Sequence, residues 1–368
     1  MTTNDDPADR YLRYTPDVEV QQPNEEEDVT ALRDIFAQIR QLAFDKHRHA
    51  MRDAHAKSHG ILRGTLDIPD DLPTHLRQGL FARPGRHPVI VRFSTAPGDV
   101  VPDGIGAARG MAIKVLDVAG EKILSEAPGS QDFLLVNHPT ISSGDVHTYR
   151  RDQQLLLKAS KQPEGVQLAL ISVLRAGAAL LRRVGIDRTG GPAGQAKPQT
   201  HLLGETYHSQ GALRYGDHVA KISAAPLSPS LTSLTGQHVP VLQPSALRDL
   251  TTAFFAAQRG VWEVRAQLAT DLQTTPVEDA SVAWPADVTA HHVVATLTIE
   301  PQDSYSPERR VFADDVLSFN PWHCLADHQP LGSIQRVRRP VYDDSSQDRH
   351  HLNAIDRHEP RHISELPD

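Results

Sequence analysis

Arg338, Tyr342, Arg349 and Asn353 follow one another at intervals of four, seven and four residues near the end of the 368-residue chain. In a helix all four side chains project from one face. The stretch RRPVYDDSSQDRHHLN (338–353) predicts such a helix, with Pro340 in its first turn and its end near Ala354. Basic residues at a helix N-terminus oppose the macrodipole. Arg336, Arg338 and Arg339 therefore call for anions nearby. A guanidinium one turn from a phenol, and the helix N-terminus itself, both favour the phenolate. Phenolate is a hard anionic ligand suited to ferric iron. An ordinary surface helix with Tyr342 packed half-buried has the same spacing.

A second dense stretch is RDAHAKSHG, Arg52 to Gly60, with His47 and His49 just before it. A neutral imidazole such as that of His55 can take up and return a proton. His55 and His59 share a face only if a helix continues to Gly60. No cysteine pair or HExxH accompanies these histidines, so zinc is poorly supported. The glycines at 104, 106 and 110 resemble a dinucleotide loop, but the third is one residue late and no strand–loop–helix unit surrounds them. His350, His351, His358 and His362 read as a solvated tail rather than a metal site. SFNPWHC (318–324) reads as a loop with a buried Trp322, and Cys324 receives no role.

These residues need a frame to position them. PVIVRFST (88–95) alternates, with Val89, Val91 and Phe93 on one face and Ile90, Arg92 and Ser94 on the other. GMAIKVLD, DFLLVNHP, VWEVRAQL and HHVVATLTIE read as further strands of a mainly antiparallel sheet, of the kind that can close as a barrel. Leu32, Ile35, Phe36, Ile39 and Leu42 recur at helical spacing, with Asp28 as the expected cap. Further helices are expected over about 146–160, 165–184 and 245–257, and a Gly/Pro loop over 188–199. The class is α+β. Residues 1–28 read as an extended acidic N-terminal arm and 29–368 as a single domain.

Net charge is −8, and no Lys/Arg stripe suggests a nucleic-acid surface. The single cysteine cannot form an internal disulfide, which fits a reducing compartment, and the cytoplasm is the expected location. The first residues, MTTNDDPADRYLRY, lack an apolar h-region, so no signal peptide is expected. The apolar run Val166–Leu181 is short for a membrane span and contains Arg175, so an internal helix is expected and no stable membrane insertion.

Five blocks, taken in order, resemble the haem catalases. Arg52-x-x-His55-Ala56-Lys57 is similar to their distal-histidine motif, R-x-x-H-A-K. Val91-Arg92-Phe93-Ser94-Thr95 matches the strand VRFST. Arg109 to Lys114 resembles RGFAVK, and Asn137 falls where catalases carry a distal asparagine. Arg338-x-x-x-Tyr342 matches the proximal R-x-x-x-Y, and Arg349 and Asn353 continue it at matching offsets. The likeness is to the shorter, divergent catalase-related haemoproteins. It is thin between about 145 and 300, where GETYHSQ (204–210) only loosely resembles a catalase strand.

The resemblance implies a catalase-like antiparallel β-barrel with surrounding helices and a C-terminal tyrosine-bearing helix. It implies haem b with ferric iron ligated by Tyr342, which Arg338 keeps as phenolate. Arg52, Arg92 and Arg349 would then pair with the haem propionates. His55 would shuttle the peroxide proton, Ser94 would fix its tautomer, and Asn137 would hydrogen-bond the bound peroxide. The implied activity is that of a peroxide-consuming catalase or peroxidase, acting on a small peroxide or an organic hydroperoxide. Rearrangement of fatty-acid hydroperoxides and haem binding without turnover are the alternatives. A homo-oligomer is a further implied possibility, the acidic arm wrapping a neighbour. Two departures bear on access to the site: HAKG continues here as HAKS, with Ser58, and His138 follows Asn137.

Overall fold

Alternating apolar residues decide the architecture. In the computed structural model, which describes residues 7–104, 106–161 and 199–368, nine strands form one antiparallel sheet. They are β1 (Lys57–Ile68), β2 (Gly85–Thr95), β3 (Arg109–Val115), β4 (Gln131–Val136), β5 (Tyr207–His208), β6 (Leu213–Tyr215), β7 (His218–Pro226), β8 (Gly260–Leu268) and β9 (His291–Ile299). Their order is β5-β4-β3-β2-β1-β9-β8-β7-β6. The short β5 also pairs with β7, so eight strands close into a barrel and β6 hangs from β7. Closure removes the free edges that an open sheet would expose.

The interior is the expected face of β2: Val89, Val91 and Phe93 join Met111, Ile113, Phe133 and Trp262 in the main core. Full burial of each such side chain stabilises by roughly 1.5–3 kcal/mol. Ile90 belongs to a separate cluster outside the barrel, with Leu116, Ala313 and Leu317. Arg92 and Ser94 share that outer face.

Six α-helices among the described residues surround the barrel: α1 (Glu25–His47), α2 (Val146–Ser160), α3 (Pro229–Thr232), α4 (Ala246–Phe255), α5 (Pro307–Val311) and α6 (Ser333–Leu352). A π-helical turn, Phe312–Val316, continues α5. Val146 of α2, Leu32 and Phe36 of α1, and Val337 and Val341 of α6 form one apolar cluster. No helix among the described residues is long and apolar enough to cross a membrane. The apolar run 166–181, the helix expected over 165–184 and all but the last residue of the segment 188–199 lie outside the described residues.

Several local expectations are corrected. α1 begins at Glu25 behind Asn24, so Asp28 is not its cap. Asp28 is buried inside the helix and pairs with Arg150 of α2 at 2.9 Å. The His-rich stretch gives way to β1 at Lys57, so His55 and His59 share no helix face. Three strands, β1, β6 and β7, add to those expected from alternation. α6 starts at Ser333, seven residues before Pro340, which therefore lies inside it. Carboxylates explain the early start. Glu278 accepts from the Ser333 N–H at 2.8 Å and Glu19 from the Gly332 N–H at 2.9 Å. Buried Ile334, Val337 and Val341 then outweigh the interior proline, whose intrinsic cost is ~3 kcal/mol. The His-rich end is not uniformly solvated. His350 is buried and reaches the carbonyls of Ser346 and Val316, while His358 pairs with Glu365.

Residues 7–24 lie along the chain's own barrel. Leu12 N–H donates to Ala269 and Tyr14 N–H to Asp217, and Tyr11 and Val18 are buried.

Candidate active site

His55 sits between α1 and β1 with φ 56°, a left-handed conformation uncommon outside glycine. Such strain costs on the order of 1–3 kcal/mol and persists only where surrounding bonds enforce it. Here the His55 N–H donates to Ala96 at 2.8 Å and the Ala56 N–H to Pro97 at 3.1 Å. The Nδ1 of His55 meets Ser94 Oγ at 3.0 Å. That contact fixes which ring nitrogen faces the barrel and leaves Nε2 for chemistry. Burial, followed by the charges of Arg92, Arg338 and Arg52, pushes the imidazole pKa down to about 3. The imidazole is therefore neutral at physiological pH.

Gly110 makes this placement possible. It stands opposite Ser94 on β2 and Val136 on β4. A Cβ there would lie 2.6 Å from His55 Nδ1 and 2.9 Å from Ser94 Oγ. The glycine dismissed as the end of a poor dinucleotide loop thus provides the floor beneath the imidazole.

Asn137 follows Val136 and extends the β3–β4 ladder. Its N–H donates to Arg109 O at 3.0 Å and its Oδ1 accepts from Arg109 N at 2.8 Å. Its amide nitrogen donates to Glu205 at 2.5 Å, and Glu205 also pairs with the Arg109 guanidinium at 2.8 Å. An amide nitrogen carries a second N–H besides the one given to Glu205. Glu205, in the stretch GETYHSQ, gave no sequence signal beyond standing next to β5.

Arg52, Arg92 and Arg349 converge on the π-helical turn. Arg349 is buried and donates to the carbonyls of Asp314 at 2.7 Å and Asp315 at 2.6 Å. Arg52 donates to the carbonyls of Ala313 and Leu317, both at 2.5 Å. Arg92 is buried on β2 and reaches Ala56 O at 3.1 Å and the Asp314 carboxylate at 3.4 Å. Burial lowers all three, Arg349 to about 10, Arg52 well below its usual value and Arg92 in the same direction, and repulsion from neighbouring arginines adds to the shift of Arg52 and Arg349. The Arg92 Nε is buried with no hydrogen-bond partner among the described residues.

On α6, Tyr342 is half-buried, and no described side chain hydrogen-bonds its hydroxyl. One turn earlier Arg338 donates to Gln335 at 3.1 Å. Asn353 closes the helix and clasps Ala50 through both N–H and C=O, at 2.9 and 3.0 Å. The other two arginines serve the scaffold rather than a cofactor. Arg336 is clamped by Glu19, Glu25 and Glu278 at 2.6, 2.6 and 2.9 Å. Arg339 lies over the Trp322 ring, 5.1 Å from its centroid. The anions expected near this helix start are thus partly the protein's own glutamates. Cys324 is buried, which raises its thiol to about 12.

Neither a family model nor a curated protein sequence matches the chain. Solved structures do. A fungal catalase matches with a TM-score of 0.56 and 17% identity, over 84% of this chain and 62% of that one. Catalase A from Saccharomyces cerevisiae matches with a TM-score of 0.56 and 16% identity, over 84% and 64%. A bacterial catalase matches with a TM-score of 0.54 and 15% identity, over 84% and 59%. The fold is that of the catalases. The chain spans less than two thirds of the length of these catalases, and at such identities the likeness is one of fold.

Within this catalase fold the residues singled out in the sequence fall into two groups. His55, Ser94, Arg52, Arg92 and Arg349 are linked to one another by contacts or by mutual electrostatic effect. Arg338 of α6 acts on His55, and both Arg338 and Tyr342 act on the buried phenol of Tyr149, which burial pushes up. Asn137 stands apart in the Arg109–Glu205 network. Among the described residues no group of three or more His, Cys, Asp or Glu side chains could hold a metal ion.

Proposed function

We propose that this protein is a haem-dependent, peroxide-consuming oxidoreductase of catalase or peroxidase type. The observation that carries this reading is the guanidinium cluster beside His55. Three arginines repel one another in a partly desolvated site, with an orphaned Arg92 Nε and one loosely held carboxylate. Buried positive charge of this kind calls for anionic partners, and guanidinium forks suit carboxylates. A haem carries two carboxylates, so the residues fit it. Iron held by a single tyrosine would take its remaining ligands from the macrocycle.

In this reading Tyr342 is the iron ligand, with Arg338 one turn earlier on the same helix. Arg52, Arg92 and Arg349 bind the propionates. Bound haem supplies a ferric iron at which the peroxide O–O bond is cleaved. His55, neutral, accepts a proton from one peroxide oxygen and returns it to the departing one. Ser94 holds the imidazole in the productive tautomer, and Asn137 orients the peroxide. A cytoplasmic location and a homo-oligomeric assembly belong to the same proposal.

Rearrangement of organic hydroperoxides is the second reading. It is favoured by the engagement of the Asn137 amide with Glu205, which leaves less of it to orient a small peroxide. The test is the optical spectrum of protein expressed with haem available, before and after hydrogen peroxide. A high-spin ferric spectrum of tyrosinate type that changes on peroxide addition is expected. No Soret band after haem supplementation would overturn the assignment of Tyr342. An epoxide or aldehyde product from a lipid hydroperoxide, without consumption of a donor, would favour the second reading.

A further inference from the structure

The carboxylate of Asp314 occupies the guanidinium cluster, but loosely. Its Oδ1 lies 3.4 Å from Arg92 Nη2 and 3.6 Å from Arg52 Nη1, and its Oδ2 lies 4.0 Å from Arg310 Nε. Elsewhere in the same chain buried ion pairs close to 2.8 Å, as in Lys114–Asp132 and Arg40–Asp53. Charge-assisted bonds ordinarily fall at 2.7–2.9 Å. The Asp314 side chain also keeps 29% of its surface exposed, so water competes for it.

A second contact holds it there. Ser58 Oγ donates toward both carboxylate oxygens, at 3.2 and 3.4 Å. Ser58 is buried on β1 next to the bulge that inserts His59. Bulges re-aim side chains beside functional sites. Asp314 itself rides on the π-helical turn, whose carbonyls are taken by Arg349 and Arg52. The turn is therefore fixed through its backbone, while its carboxylate is held by one hydroxyl, one long bond from Arg92 and more distant charges.

We infer that Asp314 is a displaceable internal carboxylate, kept by Ser58 on the guanidiniums that bind the cofactor's carboxylates. The inference rests on the haem reading above and makes Asp314 a positioning residue that competes with the cofactor for Arg52 and Arg92. Without cofactor it offsets part of the cluster's charge; on cofactor binding it yields to carboxylates that can approach more closely. A dicarboxylic porphyrin must displace it, and a porphyrin without carboxylates need not.

The test compares ferric protoporphyrin IX with its dimethyl ester, titrated into the full chain by Soret absorbance and tryptophan quenching. Asp314→Asn removes the charge. Ser58→Ala removes only the hydroxyl and carries the test if the first variant folds poorly. Asp314→Asn is expected to tighten the diacid by about fivefold, on the scale of one partly exposed ion pair. Ser58→Ala should shift it the same way by less, and the diester should move in neither variant. Weaker diacid binding in the variants, or equal shifts for both porphyrins, would overturn the inference. Wild-type binding of both porphyrins with unchanged variants would also overturn it and leave the haem reading standing. No binding of either porphyrin to the wild-type chain would overturn that reading and this inference together.

Discussion

His55 combines a left-handed backbone with a hydroxyl partner on one ring nitrogen and an imidazole that burial keeps neutral. His55→Ala is expected to retain the Soret band and to lower peroxide consumption by about 10²–10⁴-fold, the usual contribution of a positioned acid–base group. Unchanged consumption in stopped-flow assays would remove His55 from the mechanism. Gly110→Ala places a methyl group 2.6 Å from the imidazole nitrogen. Overpacking of that kind costs roughly 1–3 kcal/mol. The variant should lower both the unfolding midpoint and the peroxide rate, and a crystal structure should show His55 displaced. The sequence offered His55 through its neighbours Arg52 and Lys57, but it gave Gly110 a misleading context. A glycine needed for the approach of a side chain from another segment has no local signature.

At the scale of elements, α6 illustrates how a helix boundary is set from outside. Pro340 and the basic run suggested a start near Arg338. Glu19, from the segment before α1, and Glu278, from the β8–β9 connection, accept from backbone N–H groups at the actual start. Arg336 ties both to Glu25 of α1. Removing Arg336 would leave three carboxylates facing one another. Arg336→Ala is therefore expected to destabilise by about 3 kcal/mol, read as a fall in the urea midpoint at constant slope. A loss below ~1 kcal/mol would mean that solvent screens the cluster. The same principle explains β1 and β7. β1 follows a histidine-rich stretch and β7 carries Lys221 and Ser223 among its apolar residues, so neither read as a strand until its partners were in place.

For the whole molecule the histidines set an acid limit. Burial lowers His55 to about 3 and His201, His208 and His328 to about 4, from 6.5 when unfolded. Between these values the unfolded chain binds more protons than the folded one. Stability therefore rises with pH through this window, and is lost as pH falls from about 6.5 towards 4. His323 acts in the opposite sense. Burial opposes its charge, but Asp132 and Glu126 raise its pKa. Its contribution is present below 6.5 and is lost as pH rises through the raised value. Asp53, which burial raises to about 6, also opposes the trend, but the lowered histidines outnumber these two groups, so unfolding free energy measured by urea titration should fall from pH 7 to 4.5, with uptake of more than one proton. A flat profile would show that these imidazoles titrate normally in the folded chain.

The sequence by itself determined the period-2 strands, the apolar face of β2, the helices at about 146–160 and 245–257, and the ordered motifs that point to a catalase-like barrel. These features are local: alternation and spacing are written along the chain, and burial acts on them directly. Only the tertiary structure decided that Arg336 belongs to three glutamates, that Asn137 is tied to Glu205, and that Ser58 holds Asp314 among the arginines. Each of these pairs joins residues at least 58 positions apart in the chain. Charges at that separation find one another only after the barrel has closed, and a charged side chain in sequence says that a partner is needed without saying which.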